Sequence, residues 1–222
     1  MSFLGVEPNP IPHLQIENLS YSYDGKKWIL KDLNMSINKN EIIKIKGPNG
    51  SGKTTLLKIL MGIIEDDKLI YSAYLDGKQV RFSDIKFKFS YVPDKIYLLE
   101  NLSGFKNIKF FSYVFDDNEY IKKVYELCNL LNISTYLKQT VSEYSAGMKQ
   151  KLFIAMMLAK KAELYLMDEP FNSLDTESKI ILADIIFEMK KQDKSFVIVS
   201  HSDSDNLVYD RIIDLAQYKN QL

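Results

Sequence analysis

The chain is short of the residues that staple, anchor or strongly charge a protein. It has one cysteine, Cys128, which leaves no intrachain disulfide and no cysteine-rich zinc site; a reducing compartment fits that usage. Its only arginines are Arg81 and Arg211, and Lys plus Arg balance Asp plus Glu at 29 each. The formal net charge of zero provides no global electrostatic attraction for nucleic acid. Long apolar runs are missing too. The longest, Leu152 to Ala159, is closed by Lys160 and Lys161, far short of the roughly 20 residues of a membrane-spanning helix. Residues 1–12 hold Glu7 and three prolines; they lack a basic region followed by an apolar run, so they read as an N-terminal extension and not as a secretory signal. No repeat, low-complexity tract or linker divides the chain. What remains is globular composition, 46% hydrophobic and 26% charged over 222 residues, which suits one domain with an insertion and argues against disorder.

Residues 13–46 alternate short apolar runs with the turn signals Asp24-Gly25 and Asn38-Lys39-Asn40, a strand and hairpin pattern. Glu41 to Lys46 is a β-branched strand candidate stopping at Gly47, and a helix is predicted from Lys53 to about Met61, with Gly62 as its stop. Between about 95 and 160, the segments Phe105–Phe115 and Glu119–Leu131 carry helical spacing. Strand and helix then alternate: Leu164–Met167, Thr176–Lys191, Ser195–Ser200. Continuous apolar strands of that kind predict a parallel sheet covered on both faces. The expected architecture is a single α/β domain over 13–222: a core from 13–94 and 161–222 with an antiparallel β region in front, and a helical subdomain at 95–160.

Gly47 to Thr55 reads GPNGSGKTT, the phosphate-loop pattern. Gly47, Gly50 and Gly52 permit the backbone conformations that turn successive N–H groups of this loop, which also holds Pro48, Asn49 and Ser51, toward one anion. The helix starting at Lys53 aims its positive end at the phosphates. Lys53 brings a mobile charge to the β- and γ-phosphates, and the Thr54 hydroxyl suits Mg²⁺. Leu164 to Pro170 reads LYLMDEP, an apolar strand ending in two carboxylates. Asp168 is placed to hold the Mg²⁺ shell, and Glu169 to orient or deprotonate an attacking water. His201 ends the apolar strand after Ser200 at the same sheet edge, suited to a γ-phosphate contact. Tyr91 to Asp94 reads as another short strand leading into the insertion.

Tyr144 to Lys151 reads YSAGMKQK, at the start of a long helix expected to be amphipathic. With this segment in place, the chain resembles the ATP-binding-cassette (ABC) ATPases along nearly its whole length, with the motifs in family order. The resemblance implies that Ser145, Ala146, Gly147 and Met148 form the signature, acting in trans on ATP in a head-to-tail dimer, and that Asn172 to Asp175 is the following loop. It implies that Tyr23 stacks on adenine and that Thr55 belongs to the ATP-binding loop. Asp94 stands where most of the family carries a glutamine that senses Mg²⁺ and the membrane partner. Ala146 and Met148, replacing glycine and glutamine, point to exporter-type cassettes of the ABC-2 kind. The chain's end soon after His201 fits a cassette without an added regulatory domain. ATP and Mg²⁺ are the implied cofactors, a transmembrane permease the implied partner, and the inner face of the cell membrane the implied location; the alternative is a soluble ABC ATPase acting on nucleic acid or a protein complex. Phe105, Phe110, Phe111, Tyr113 and Phe115 are dense for one segment. Several are expected in the core, and the rest, with Tyr97 and Leu98, to line a groove for a helix of the partner.

Overall fold

The computed structural model describes residues 13–201 and 206–218; the extension at 1–12 lies outside them. The chain opens with β1 (Leu14–Tyr21) and β2 (Leu30–Ile37), paired antiparallel. The Asp24-Gly25 turn lies between them, where Asp24 Oδ1 accepts from the N–H groups of Lys26 and Lys27 at 2.8 and 2.9 Å. The second predicted turn, at 38–40, closes no hairpin. It hands the chain to β3 (Ile42–Lys46), whose residues are buried as far as Ile45 and which pairs in parallel with strands from much later in the chain.

After β3 come α1 (Lys53–Leu60), β4 (Ile70–Leu75), β5 (Lys78–Val80), α2 (Phe82–Ile85) and β6 (Phe89–Val92). The predicted strand at Tyr91–Asp94 is thus shifted by two residues, because Pro93 has no N–H to continue a ladder. The helices α3 (Gly104–Phe115), α4 (Tyr120–Leu130) and α5 (Ala146–Ala159) follow, then β7 (Leu164–Asp168), α6 (Thr176–Lys190), β8 (Ser195–Val199) and β9 (Arg211–Asp214). Two sheets result, an antiparallel one ordered β2-β1-β4-β5 and a parallel one ordered β6-β7-β8-β3-β9.

The parallel sheet separates two cores. On β7, Leu164 and Leu166 face the antiparallel sheet and α1, while Tyr165 and Met167 face the helices; on β8, Val197 and Val199 oppose Phe196 and Ile198 in the same way. That alternation within an unbroken apolar run is the mark of a strand covered on both faces. It also puts Asp168 on the α1 side.

One expectation fails in packing. Residues 152–159 of α5 are all buried, so the helix is not amphipathic beyond its first turn; it is a central helix held between α4 and β6, and such a helix is apolar all round. In α3, Phe111 and Phe115 pack against the core, whereas Phe110 and Tyr113 are exposed, as is Tyr97. Cys128, in α4, is fully buried, and burial pushes its thiol up to about 12. Among the described residues, no helix is long and apolar enough to cross a membrane.

Candidate nucleotide site

The loop between β3 and α1 is built on glycines that no other residue replaces freely. Gly47 has φ 151°, and a Cβ there would fall 2.6 Å from Ser51 Oγ. Gly52, at φ 94°, would press a Cβ to 3.0 Å from the side chains of both Ile29 and Leu30. Gly52 caps α1, whose first turn has no acidic residue, which keeps that helix end open to an anion. The Lys53 ammonium folds back to donate to the carbonyls of Gly47 (2.8 Å) and Pro48 (3.1 Å). Burial lowers its pKa, opposed by the charges of Glu169 and Asp168.

A cavity of about 420 Å³ lies against this loop. Its wall brings together Asn49, Gly50, Gly52, Lys53, Thr54, Thr55, Asp94, Asp168, Glu169 and His201. Gly47, Pro48 and Ser51 shape the loop behind it. Thr54 Oγ1 donates to Asp168 Oδ2 at 2.6 Å. Asp168 is almost wholly buried, and burial raises its pKa, with Thr54's hydrogen bond opposing and Asp94's charge adding to the rise.

Glu169 leaves the strand at φ 51°, a left-handed conformation costly for a side-chain-bearing residue and concentrated at functional sites. Its N–H donates to the Val199 carbonyl at 2.9 Å, which pins the backbone to β8. Its carboxylate is mostly buried; Oε2 accepts from the His201 N–H at 3.4 Å, and His201 Nε2 lies 3.4 Å from Oε1. Oε1 is sealed from solvent and makes no hydrogen bond. Burial is the main cause of its raised pKa.

Tyr23 is half-exposed, and its hydroxyl shares a 3.0 Å hydrogen bond with Thr55 Oγ1, which fixes the ring beside the start of α1. Lys68 Nζ donates to the Tyr23 carbonyl at 2.8 Å, a contact the sequence did not suggest. Ser145 caps α5, its hydroxyl accepting from Met148 N–H at 3.2 Å. Ser145 and Ala146 are exposed, and residues 145–148 are not part of the cavity wall. Gly147 is packed against the next motif: a Cβ there would meet the Ser173 carbonyl oxygen at 2.9 Å. Asn172 was missed as a wall residue, though its place three residues beyond Glu169 was legible.

A glycine-rich loop, a helix end, a lysine and two strand-end carboxylates converge on one cavity of about 420 Å³. The model of the family described as ABC transporter matches residues 30–172. The chain belongs to that family. It is an ATP-binding domain of the ABC class and an ATPase. It is 34% identical over 188 residues to the lantibiotic transport ATP-binding protein SrtF of Streptococcus pyogenes, covering 85% of this chain and 80% of that one. It is also 34% identical over 202 residues to the zinc import ATP-binding protein ZnuC of a Wolbachia species, covering 88% and 75%. A solved ATP-binding subunit of an ABC transporter superposes with a TM-score of 0.75 at 25% identity, covering 85% of this chain and 79% of that one. The P-loop α/β fold expected from the sequence is therefore the fold of the family.

Proposed function

We propose that this ABC ATPase powers transport, in the export direction, through a separate membrane-spanning permease, and that it sits on the inner face of the cell membrane through that partner. The export direction is favoured by the signature variant with Ala146 and Met148 and by likeness to a lantibiotic transport protein. In this reading residues 13–94 and 161–222 form the catalytic core and 95–160 the helical subdomain. The exposed rings of Tyr97, Phe110 and Tyr113 are a docking face for the permease.

The observation that carries the reading is the Glu169 carboxylate: mostly buried, on one cavity wall with Lys53 and Asp168, and 3.4 Å from His201 Nε2. The loop's N–H groups and Lys53 bind the phosphates of ATP, and Tyr23 offers its face to adenine. The Thr54 hydroxyl and the Asp168 carboxylate, already in contact, are hard oxygen donors that fit Mg²⁺. Mg²⁺ is usually held by one or two carboxylates together with waters and substrate phosphates, a role within reach of this pair. When bound there, Mg²⁺ supplies charge neutralisation at the phosphates. Glu169 takes a proton from the water that attacks the γ-phosphorus, and ADP departs as the bond to its β-phosphate oxygen breaks. His201 holds the γ-phosphate. Neither arginine lines the cavity, so the exposed Ser145 cap and Gly147 of a second copy supply the remaining stabilisation in an ATP-bound head-to-tail dimer.

Glu169→Gln tests this. ATP binding should persist, turnover should fall about a hundredfold to ten-thousandfold, and the ATP-bound variant should run as a dimer. Turnover near the parent's rate, or a monomer at saturating ATP and Mg²⁺, overturns the reading. In cells, the variant should sediment with membranes.

A further inference from the structure

Tyr91 carries a polar group that the reading above leaves unused. In β6 it pairs in register with Leu166 of β7, and it packs against the same core that Leu166 shares with Leu56 and Leu57 of α1. Asp168, two residues beyond Leu166, points to that same face and meets Thr54 there. The Tyr91 hydroxyl is sealed from solvent without a hydrogen-bond partner. The ionisable groups that act on it are Asp168, Asp94 and Tyr97; together with burial, which is the larger cause, they raise its pKa, so it stays protonated and remains a donor. A buried donor left unpaired is costly, and a water shared with a second polar group relieves that cost.

We propose that Tyr91 is a positioning residue for the metal end of the nucleotide site: its hydroxyl donates, through a single water, to the Asp168 carboxylate whose Oδ2 Thr54 already engages. Tyr91 thereby fixes the carboxylate's orientation from the β6 side, as Thr54 does from α1. Partners of this kind typically change metal affinity on the order of tenfold or more when removed. The inference rests on Thr54 and Asp168 as the Mg²⁺ holders.

The test is Tyr91→Phe, which deletes one oxygen, with Thr54→Ala as the control for the underlying reading. A fluorescent ATP analogue is titrated into each isolated protein with saturating Mg²⁺ and again in EDTA, and melting is followed without nucleotide. Tyr91→Phe is expected to bind the analogue in EDTA like the parent and to lose about tenfold of the affinity that Mg²⁺ adds, with the melting transition showing that the variant is folded. If Tyr91→Phe keeps the full Mg²⁺ increment while Thr54→Ala loses it, the Tyr91 role is wrong and the metal reading stands. If Thr54→Ala also keeps the increment, both fall.

Discussion

Gly147→Ala sets two opposing effects against each other at one atom. A helix gains about 1 kcal/mol when glycine becomes alanine, and position 147 lies in the first turn of α5. Against this, the new Cβ would sit 2.9 Å from the Ser173 carbonyl oxygen, where ordinary contacts begin at 3.4 Å, so about half an ångström must be found. Neither side yields easily. The body of α5 is buried, and the Ser173 loop ends at Asp175, which caps α6 through Ser178 N–H and Oγ at 2.8 and 2.7 Å and pairs with Lys151. Overpacking of this kind costs about 1–3 kcal/mol, so the net change is a loss of between about 0 and 2 kcal/mol. For a chain of this size that lowers the melting temperature by no more than about 8 °C. The larger effect is on catalysis. Residues 145–148 stand apart from the chain's own cavity wall, so ATP affinity of the isolated protein should hold, while in the proposed dimer a displaced signature should cut turnover about tenfold or more. Calorimetry, a fluorescent-nucleotide titration and a phosphate-release assay read the three quantities. A Gly147→Ala protein that melts several degrees higher and turns over at the parent's rate refutes the argument.

Two further outcomes follow from the carboxylates. As the proposed base, Glu169 must be ionised to accept a proton, and burial raises its pKa, so the acid limb of kcat/KM against pH should lie above the usual carboxylate range. The sign for stability is the reverse: the contribution present below the unfolded pKa is lost as pH rises through the raised folded one, and Glu169→Gln should melt higher than the parent at neutral pH. An acid limb at the ordinary carboxylate position would sink this account. Asp94 lines the cavity, and its charge helps to raise the pKa of Asp168. Asp94→Asn keeps its shape and removes that repulsion, so the isolated protein should bind ATP with Mg²⁺ more tightly; unchanged or weaker affinity in a titration counts against the repulsion.

The parts of the site that were legible are polar residues placed where an apolar strand stops. Gly47 after Glu41–Lys46, Asp168 and Glu169 after Leu164–Met167, and His201 after Phe196–Ser200 each announce a strand end, and parallel strands carry their ends to one edge. Side-chain depth was not legible in the same way. The apolar run in α5 records only that it is apolar, and its burial on every side depends on α4 and β6 meeting around it. Tyr91 is one of 14 tyrosines; its importance lies in a missing hydrogen bond that only three-dimensional neighbours define. The left-handed turn at Glu169 is likewise a tertiary property, since nothing in the run DEP favours it locally. The β4–β5 hairpin was within reach: Asp76-Gly77, with φ of 47° and 76°, is a strong hairpin pair, and the expected antiparallel region stopped short of it.

The buried thiol of Cys128 has a practical consequence. Alkylating reagents attack the thiolate, and reaction requires access; Cys128 offers neither, being fully enclosed with its pKa pushed up to about 12. Because it is the sole cysteine of the chain, the folded wild-type protein is already a silent background for site-directed labelling. A single cysteine placed on the surface, beside Tyr97 or in the exposed turn at Ser145, can carry a spin label or a fluorophore without first engineering the native sulfur away, so the proposed pairing of two copies around nucleotide can be tested as a distance.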